Sequence, residues 1–420
     1  MSHEVHLDEP ETFTFPALVK MGSIAAMLVG AVTFGLSFLG GTNLAFGGWA
    51  IASWYVVGFP LFGMFLLAIN HLSSGGWAAT MKRVPEAMTQ YFPVGLLTIG
   101  VLCLSFLITD EGNHSEVSRQ LYSWANFVNH GDEHSELIEK KELWLNIPFF
   151  LGRTLLYFGI WAGFAWAMVR QSRKQDVDGD YKHTFAARKL SAVFAILFGL
   201  TVTFASIDYI KSVEPTWFST MFGVYQFGGI VQSGFAMLIL LILLLRRTGY
   251  LRTAVNTSHF HTLGIWLFAA ATFWAYIWFC QFMLIWYTNI PEETQHFFAR
   301  WNTPWFWITF GLNPLLNWVI PFLALLPRPN KRNTKVLAIA AVSSLLGRFV
   351  DLWQFVTPQP HHDANGLPEP NWMPWETFWL IGIVVGVIGL FLFVTLRALE
   401  KAPLLAKNDP FFDEALHADI

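Results

Sequence analysis

The 420-residue chain is 54% hydrophobic, 17% aromatic and only 13% charged, which excludes an ordinary soluble domain and points to a polytopic membrane protein. A net charge of −3 gives no support to nucleic-acid binding. The two cysteines, Cys103 and Cys280, both sit in apolar runs, so neither a disulfide framework nor a cysteine metal cluster is available.

The opening MSHEVHLDEPETFTFPALVK is acidic and leads into an apolar run with no small-residue cleavage site, so residues 1–16 are expected to be a retained tail. Apolar stretches of bilayer-spanning length follow near 17–39, 48–70, 91–109, 145–169, 188–209, 217–245, 260–286, 304–326, 334–355 and 376–397. The expected architecture is an all-α integral membrane domain over 17–397 with about ten transmembrane helices, closed by a tail over 398–420. Two four-helix halves flanked by single helices fit that count.

Lys and Arg set the orientation. Lys82 and Arg83 follow the second stretch; Arg170, Arg173, Lys174, Lys182, Arg188 and Lys189 lie between the fourth and fifth. Arg246, Arg247 and Arg252 follow the sixth, and Arg328, Lys331, Arg332 and Lys335 follow the eighth. The alternate loops hold fewer: Arg119, Lys140 and Lys141 in one, Lys211 and Arg300 in two others. Both termini are therefore expected in the cytoplasm. The long external loop over 110–144 has too little apolar content to fold alone, and aromatics such as Trp217, Trp286 and Trp301 gather at span ends as an interfacial belt.

Charges inside this apolar chain are the informative residues, because an isolated one at mid-bilayer costs about 2.5–3.5 kcal/mol on the insertion scale. The corner SIDYIKSVEPTWFSTMFGVYQFGG, residues 206–229, carries three. Asp208 and Lys211 are three apart and can pair on one helix face. Pro215 pushes Glu214 out of helical geometry, towards the N-terminal end of the next helix, where the dipole favours a negative charge. Arg348 and Asp351 are again three apart, while Arg153 and Gln281 lie at comparable outer depth. A common interior cluster is more economical than separate exposures to lipid; structural ion pairs and a proton or quinone pathway both account for it. Asn313 and Asn317, four apart, can hydrogen-bond between helices or hold water on a proton route. His71, His259 and His261 lie at the cytoplasmic ends of spans, as interfacial residues or the inner end of such a route.

A transmembrane haem would need histidines facing each other within helices, which these do not supply. His130 with His134, and His361–His362–Asp363, are the candidate loop sites for a metal. No phosphate-binding loop, nucleophile elbow or HExxH motif occurs. Nor do matching Gly/Pro-broken helices mark the chain as a secondary transporter.

The 206–229 corner, together with FWAYIWFCQFMLIWYTNIPEET over 273–294, closely resembles the F subunit of bacterial alternative complex III, a quinol:electron-acceptor oxidoreductase, and the resemblance extends over the whole chain. It implies the fold of the polysulfide-reductase membrane subunits, two four-helix bundles with one helix added at each end, in the bacterial inner membrane. It implies no haem or iron–sulfur cluster in this chain. The implied companions are a homologous C-type membrane subunit, an external iron–sulfur protein related to molybdopterin enzymes and c-type cytochrome subunits, with a terminal oxidase as a further candidate. In the family the quinol-oxidising pocket is assigned to the C-type sister, and the F-type subunit is proposed to help conduct protons. Two departures stand out: Tyr209 where tryptophan is expected, and Thr216 where histidine is frequent. Losing that histidine removes a titratable neighbour of Glu214.

The expected function is thus a membrane subunit of a quinol-oxidising complex that contributes a proton pathway and docks the sister subunit. Asp208, Glu214, Arg348 and Asp351 are the candidate titratable or charge-setting groups. Arg153, Lys211 and Gln281 orient them, Asn313 and Asn317 extend the polar set, and His71, His259 and His261 form its inner end. The alternatives are a quinone or menaquinone pocket of its own, with Arg153, Trp278 and Gln281 as contacts, and a purely structural scaffold.

Overall fold

The computed structural model describes residue 10 and residues 12–107, 121–125, 133–358, 360–362 and 368–417. Ten long apolar helices make this an all-α, multi-pass membrane protein: α1 Ala17–Gly40, α2 Thr42–Ser73, α3 Arg83–Leu107, α4 Ile147–Asp178, α5 Lys182–Val213, α6 Phe222–Arg247, α7 Thr257–Thr288, α8 Trp307–Leu325, α9 Thr334–Val356 and α10 Pro374–Leu399. Helices α2, α4, α5 and α7 have 32 residues each, about 48 Å, so they overrun a hydrocarbon core about 30 Å thick. This is why several begin or end beyond the apolar stretches of the sequence. The third reaches back to Arg83 through the short helix Arg83–Thr89, and the sixth starts at Phe222, later than the apolar run suggests.

Packing follows burial. Helices α2 and α6 are enclosed almost all round, whereas α1, α4, α5, α7 and α8 keep broad apolar faces outward. Helix α2 packs on α3, α5, α6, α9 and α10; α4 packs on α3 and α5; α7 packs on α6 and α8; α9 packs on α6 and α8. Helices α1 and α10 cross at Gly30 and Gly386, where a Cβ on Gly30 would stand 2.5 Å from the Gly386 Cα, so only glycine permits this approach. Helix α8 contains two wide π-helical stretches, Trp307–Leu312 and Leu315–Val319, on either side of Asn313 and Pro314. Pro314 has no N–H for the helical ladder, and the Asn317 side chain donates to the Asn313 carbonyl at 3.1 Å.

One end of the bundle gathers both terminal segments. Thr12 bridges to Pro403, the Phe15 N–H donates to Glu400 at 2.8 Å, and Lys82 pairs with Asp409 at 2.6 Å. Leu404, Leu405, Phe412 and Ala415 are buried there, so the described part of 398–420 is a folded strap and not a loose tail. The opposite end carries the 206–229 corner and the short helix Pro291–Trp301. Of the long loop over 110–144, Leu121, Tyr122 and Trp124 are buried, the last two against Phe106 and Phe150, and Tyr122 Oη donates to the Tyr209 carbonyl at 2.9 Å.

Candidate functional site

The single interior cluster expected from the sequence resolves into three separate arginine–carboxylate pairs, all near the end that carries the 206–229 corner. Two of them join different elements, and the third, Arg348 with Asp351, lies within α9 and is held by side chains from neighbouring helices.

The first joins α4 to α5. Asp208 is fully buried, and its carboxylate accepts four hydrogen bonds: Arg153 Nε and Nη2 at 2.8 Å each, Trp144 Nε1 at 2.9 Å and Tyr157 Oη at 2.9 Å. Arg153 also lies 4.1 Å from the Trp144 ring and 4.3 Å from that of Phe149. The bidentate fork explains why Asp208 turns to Arg153 and away from Lys211, correcting the expected three-apart pairing. Lys211 instead donates to the Trp217 carbonyl at 2.6 Å.

The second pair was half hidden in the sequence. Glu214 does not cap α6; it follows the 3₁₀ turn Lys211–Val213 and points at the helix Pro291–Trp301. Arg300 Nη2 meets Glu214 Oε1 at 2.8 Å and His296 Nδ1 meets Oε2 at 2.6 Å. Arg300 further donates to the carbonyls of Gln354 at 2.9 Å and His296 at 2.5 Å. The His296 ring stacks on Trp217, centroids 4.0 Å apart. Burial raises the Glu214 carboxyl, but His296 and Arg300 outweigh it and hold it at about 2. Burial, with the Arg300 guanidinium, lowers His296 to about 4 against the pull of Glu214. At neutral pH the imidazole is therefore neutral, with Nδ1–H donating to a carboxylate that only accepts. His296 thus supplies Glu214 with a titratable neighbour from a different element. Its signal was present: His296 and Arg300 are four apart on an amphipathic helix opened by Pro291.

The third pair lies among α6, α8 and α9. Arg348 Nη1 meets Asp351 Oδ2 at 2.8 Å, and Nη2 donates to Gln226 Oε1 at 2.7 Å, which also accepts from Trp54 Nε1 at 3.1 Å. Asp351 is fully buried; its Oδ1 accepts from Tyr225 Oη and from Asn313 Nδ2 at 3.3 Å. Asn317 Nδ2 reaches Asn313 Oδ1 at 2.7 Å, and Gln232 Nε2 spans from the Asn317 carbonyl at 2.5 Å to Ser344 Oγ at 3.2 Å. A polar ladder therefore descends from Asp351 to Ser344. Below it the buried face of α9 is Ala341, Ala340 and Leu337, which carry no hydrogen-bonding side chain.

Aromatic rings partition the three pairs. Tyr209 and Trp54 stand between the first and third, with centroids 5.6 Å apart; Phe355 lies 5.4 Å from both His296 and Tyr225, between the second and third. Gln281 and Trp278 on α7 are not drawn to Arg153: Trp278 packs on Trp274 and Phe310, and the buried Gln281 Oε1 has no hydrogen-bond partner.

The histidines at the terminal end do not form one cluster either. His71 Nδ1 meets Ser191 Oγ at 3.1 Å; His259 caps α7 with Asn256 and meets Thr80 Oγ1 at 3.1 Å; His261 Nδ1 is buried without a partner. That end also holds a group unread in the sequence, Arg83 with Glu86 at 2.5 Å, with Asp176, and with Ser172 Oγ at 3.1 Å. His130 and Asp363 lie outside the described residues, as do the side chains of His134, His361 and His362. Among the described residues no group of three or more His, Cys, Asp or Glu is placed to hold a metal ion.

Fold and site define a multi-pass membrane protein with arginine–carboxylate pairs buried towards both ends of its interior. Known protein-family models give no match to the chain, and no curated protein matches it.

Proposed function

We propose that the chain is the F-type membrane subunit of a bacterial alternative complex III, contributing a buried proton-transfer ladder to a quinol:electron-acceptor oxidoreductase in the inner membrane. The observation that carries this reading is Asp351, a fully buried carboxylate with Tyr225, Asn313 and Arg348 around it and a ladder of hydrogen bonds, one through the Asn317 carbonyl, leading to Ser344. A carboxylate buried within a membrane span is a common mark of intramembrane proton transfer, and the Asn and Gln amides below it position it by hydrogen bonds. The helix contacts suit two four-helix groups, α2–α5 and α6–α9, with α1 and α10 outside. The excess of Lys and Arg in the loops at the terminal end suits cytoplasmic termini.

Within this reading Asp351 is the proton-carrying group at the head of the ladder, and Glu214 with His296 lies nearer the 206–229 corner, on the far side of Phe355. Asp208, bound by four donors, is a positioning residue and not a carrier. Quinol oxidation falls to the C-type sister, which the outward apolar faces of this chain would help to dock; the iron–sulfur and cytochrome subunits take the electrons. The test is Asp351→Asn in the intact complex. Quinol oxidation or proton release should fall several-fold with subunit composition and haem content unchanged; wild-type values in an intact complex would reject the role.

A further inference from the structure

At the corner end, between the start of α4 and the turn over 211–218, lies an open groove of about 870 Å³. Lys140, Lys141 and Lys211 line it together with Trp144, Phe149 and Phe218. Lys141 donates to the Pro215 carbonyl and lies 4.0 Å from the Phe218 ring; the Lys211 ammonium lies 5.7 Å from the same ring. Among the described residues none of the three lysines forms an ion pair with a carboxylate. The neighbouring Arg153 is already matched by Asp208. Loops at this end are otherwise poor in cations, yet three of them line this one groove, whose lining includes no carboxylate. Burial lowers the Lys141 ammonium, a cost that a bound anion would offset.

Phe149 also begins an apolar stripe on α4. Gly152, Leu156, Gly159 and Gly163 follow it on the same face. A Cβ at Gly152, Gly159 or Gly163 would meet nothing within 4 Å. The lower part opens into a second groove of about 480 Å³, lined by Leu155, Leu156, Gly159, Gly163, Phe164 and Leu190 among other apolar residues. From Phe149 to Gly163 the stripe rises about 21 Å, more than one leaflet of a hydrocarbon core about 30 Å thick.

We propose that these two grooves form one binding site for an anionic phospholipid, its phosphate among Lys140, Lys141 and Lys211 and an acyl chain along the glycine stripe of α4. Ammonium groups on flexible stems suit a phosphate, and the aromatic walls suit the glycerol level of the interface. A quinol undergoing oxidation fits less well, because the groove is lined by no carboxylate or histidine to accept its protons. A partner helix would use the glycines but leave the lysines unmatched.

The test uses the full chain, in its complex or alone, delipidated in mild detergent and re-supplied with defined lipids, with bound lipid counted by native mass spectrometry. Phosphatidylglycerol should be retained at about one per chain and preferred over phosphatidylcholine. Lys140→Gln with Lys141→Gln should weaken that retention roughly tenfold, since each lysine near a membrane surface adds appreciably to anionic-lipid attraction. Gly159→Leu with Gly163→Leu should weaken it several-fold with the lysines intact. Equal retention of the two lipids, or wild-type retention by a folded lysine variant, overturns the proposal. So does displacement by inorganic phosphate or by a menaquinone at equal concentration, which would mark a free-anion or quinone site. Loss of another membrane polypeptide from the glycine variant, with lipid retention unchanged, would assign the stripe to a partner helix and equally overturn it. Should the glycine variant fail to fold, the lysine variant decides.

Discussion

Gly229 on α6 and Arg348 on α9 contend for one volume: a Cβ on the glycine would stand 2.3 Å from the Nη1 atom that binds Asp351. The glycine exists so that a guanidinium can pass α6 and reach both Asp351 and Gln226. Gly229→Ala should therefore break the buried pair despite its small size and its better helix propensity. Removing one partner of a buried pair costs about 3–5 kcal/mol, and partial displacement should approach the lower figure. The thermal midpoint of the purified protein in detergent measures this. A midpoint equal to or above wild type would mean that Arg348 has room to spare.

The Arg153–Asp208 pair offers a cleaner separation of charge from packing. Arg153→Met strands a fully buried carboxylate with only Trp144 and Tyr157 as donors, and should cost about 3–5 kcal/mol. Adding Asp208→Leu removes the stranded charge, so the double variant should regain most of that loss. Denaturant unfolding of the four proteins in the cycle is the measurement. Additive losses would show that the two residues contribute independently of their pairing.

At the other end, the strap over 403–416 should be held by packing and not by its ion pair. Phe412 is buried, so Phe412→Ala should cost about 3 kcal/mol locally and open the C-terminal segment to protease. Asp409→Asn, which removes the charge facing Lys82 but keeps an acceptor for the Phe411 N–H, should open the segment to protease less than Phe412→Ala does. Equal protease sensitivity of the two variants would contradict this ranking.

Much of the fold was legible because the bilayer imposes a length and a composition that no tertiary contact overrides. Ten apolar stretches became ten helices, and only their ends moved, where polar turns extend a helix beyond lipid. The Arg348–Asp351 pair was legible from its spacing on one helix. The other two pairs were not, since three-apart spacing offered Asp208 the nearer Lys211, while geometry gave it the planar fork of Arg153 from a different helix. Likewise Arg300 read as a loop cation. Only the return of the helix Pro291–Trp301 across the corner shows that it and His296 were made for Glu214. Partition of one expected cluster into three follows from Trp54, Tyr209 and Phe355, whose ring positions no spacing rule supplies.

The Glu214–His296–Arg300 group should also make the protein acid-sensitive. His296 is held at about 4 in the folded state, below its ordinary value of 6.5. As pH falls below 6.5 the unfolded chain takes up a proton that the folded chain refuses, so stability declines until about pH 4. The effect of this one group reaches roughly 3 kcal/mol there. Glu214, held at about 2 against an ordinary 4.5, contributes stability that is intact above pH 4.5 and is lost as pH falls towards 2. The two windows adjoin, so acid destabilises throughout, with His296 governing the upper part. His296→Asn places an amide donor near the Nδ1 position without a titrating ring. That variant should be less stable than wild type at pH 7, where the Trp217 stacking is lost, yet its thermal midpoint should fall less steeply between pH 6.5 and 4. Parallel pH profiles for the two proteins would show that His296 does not titrate between the folded and unfolded states.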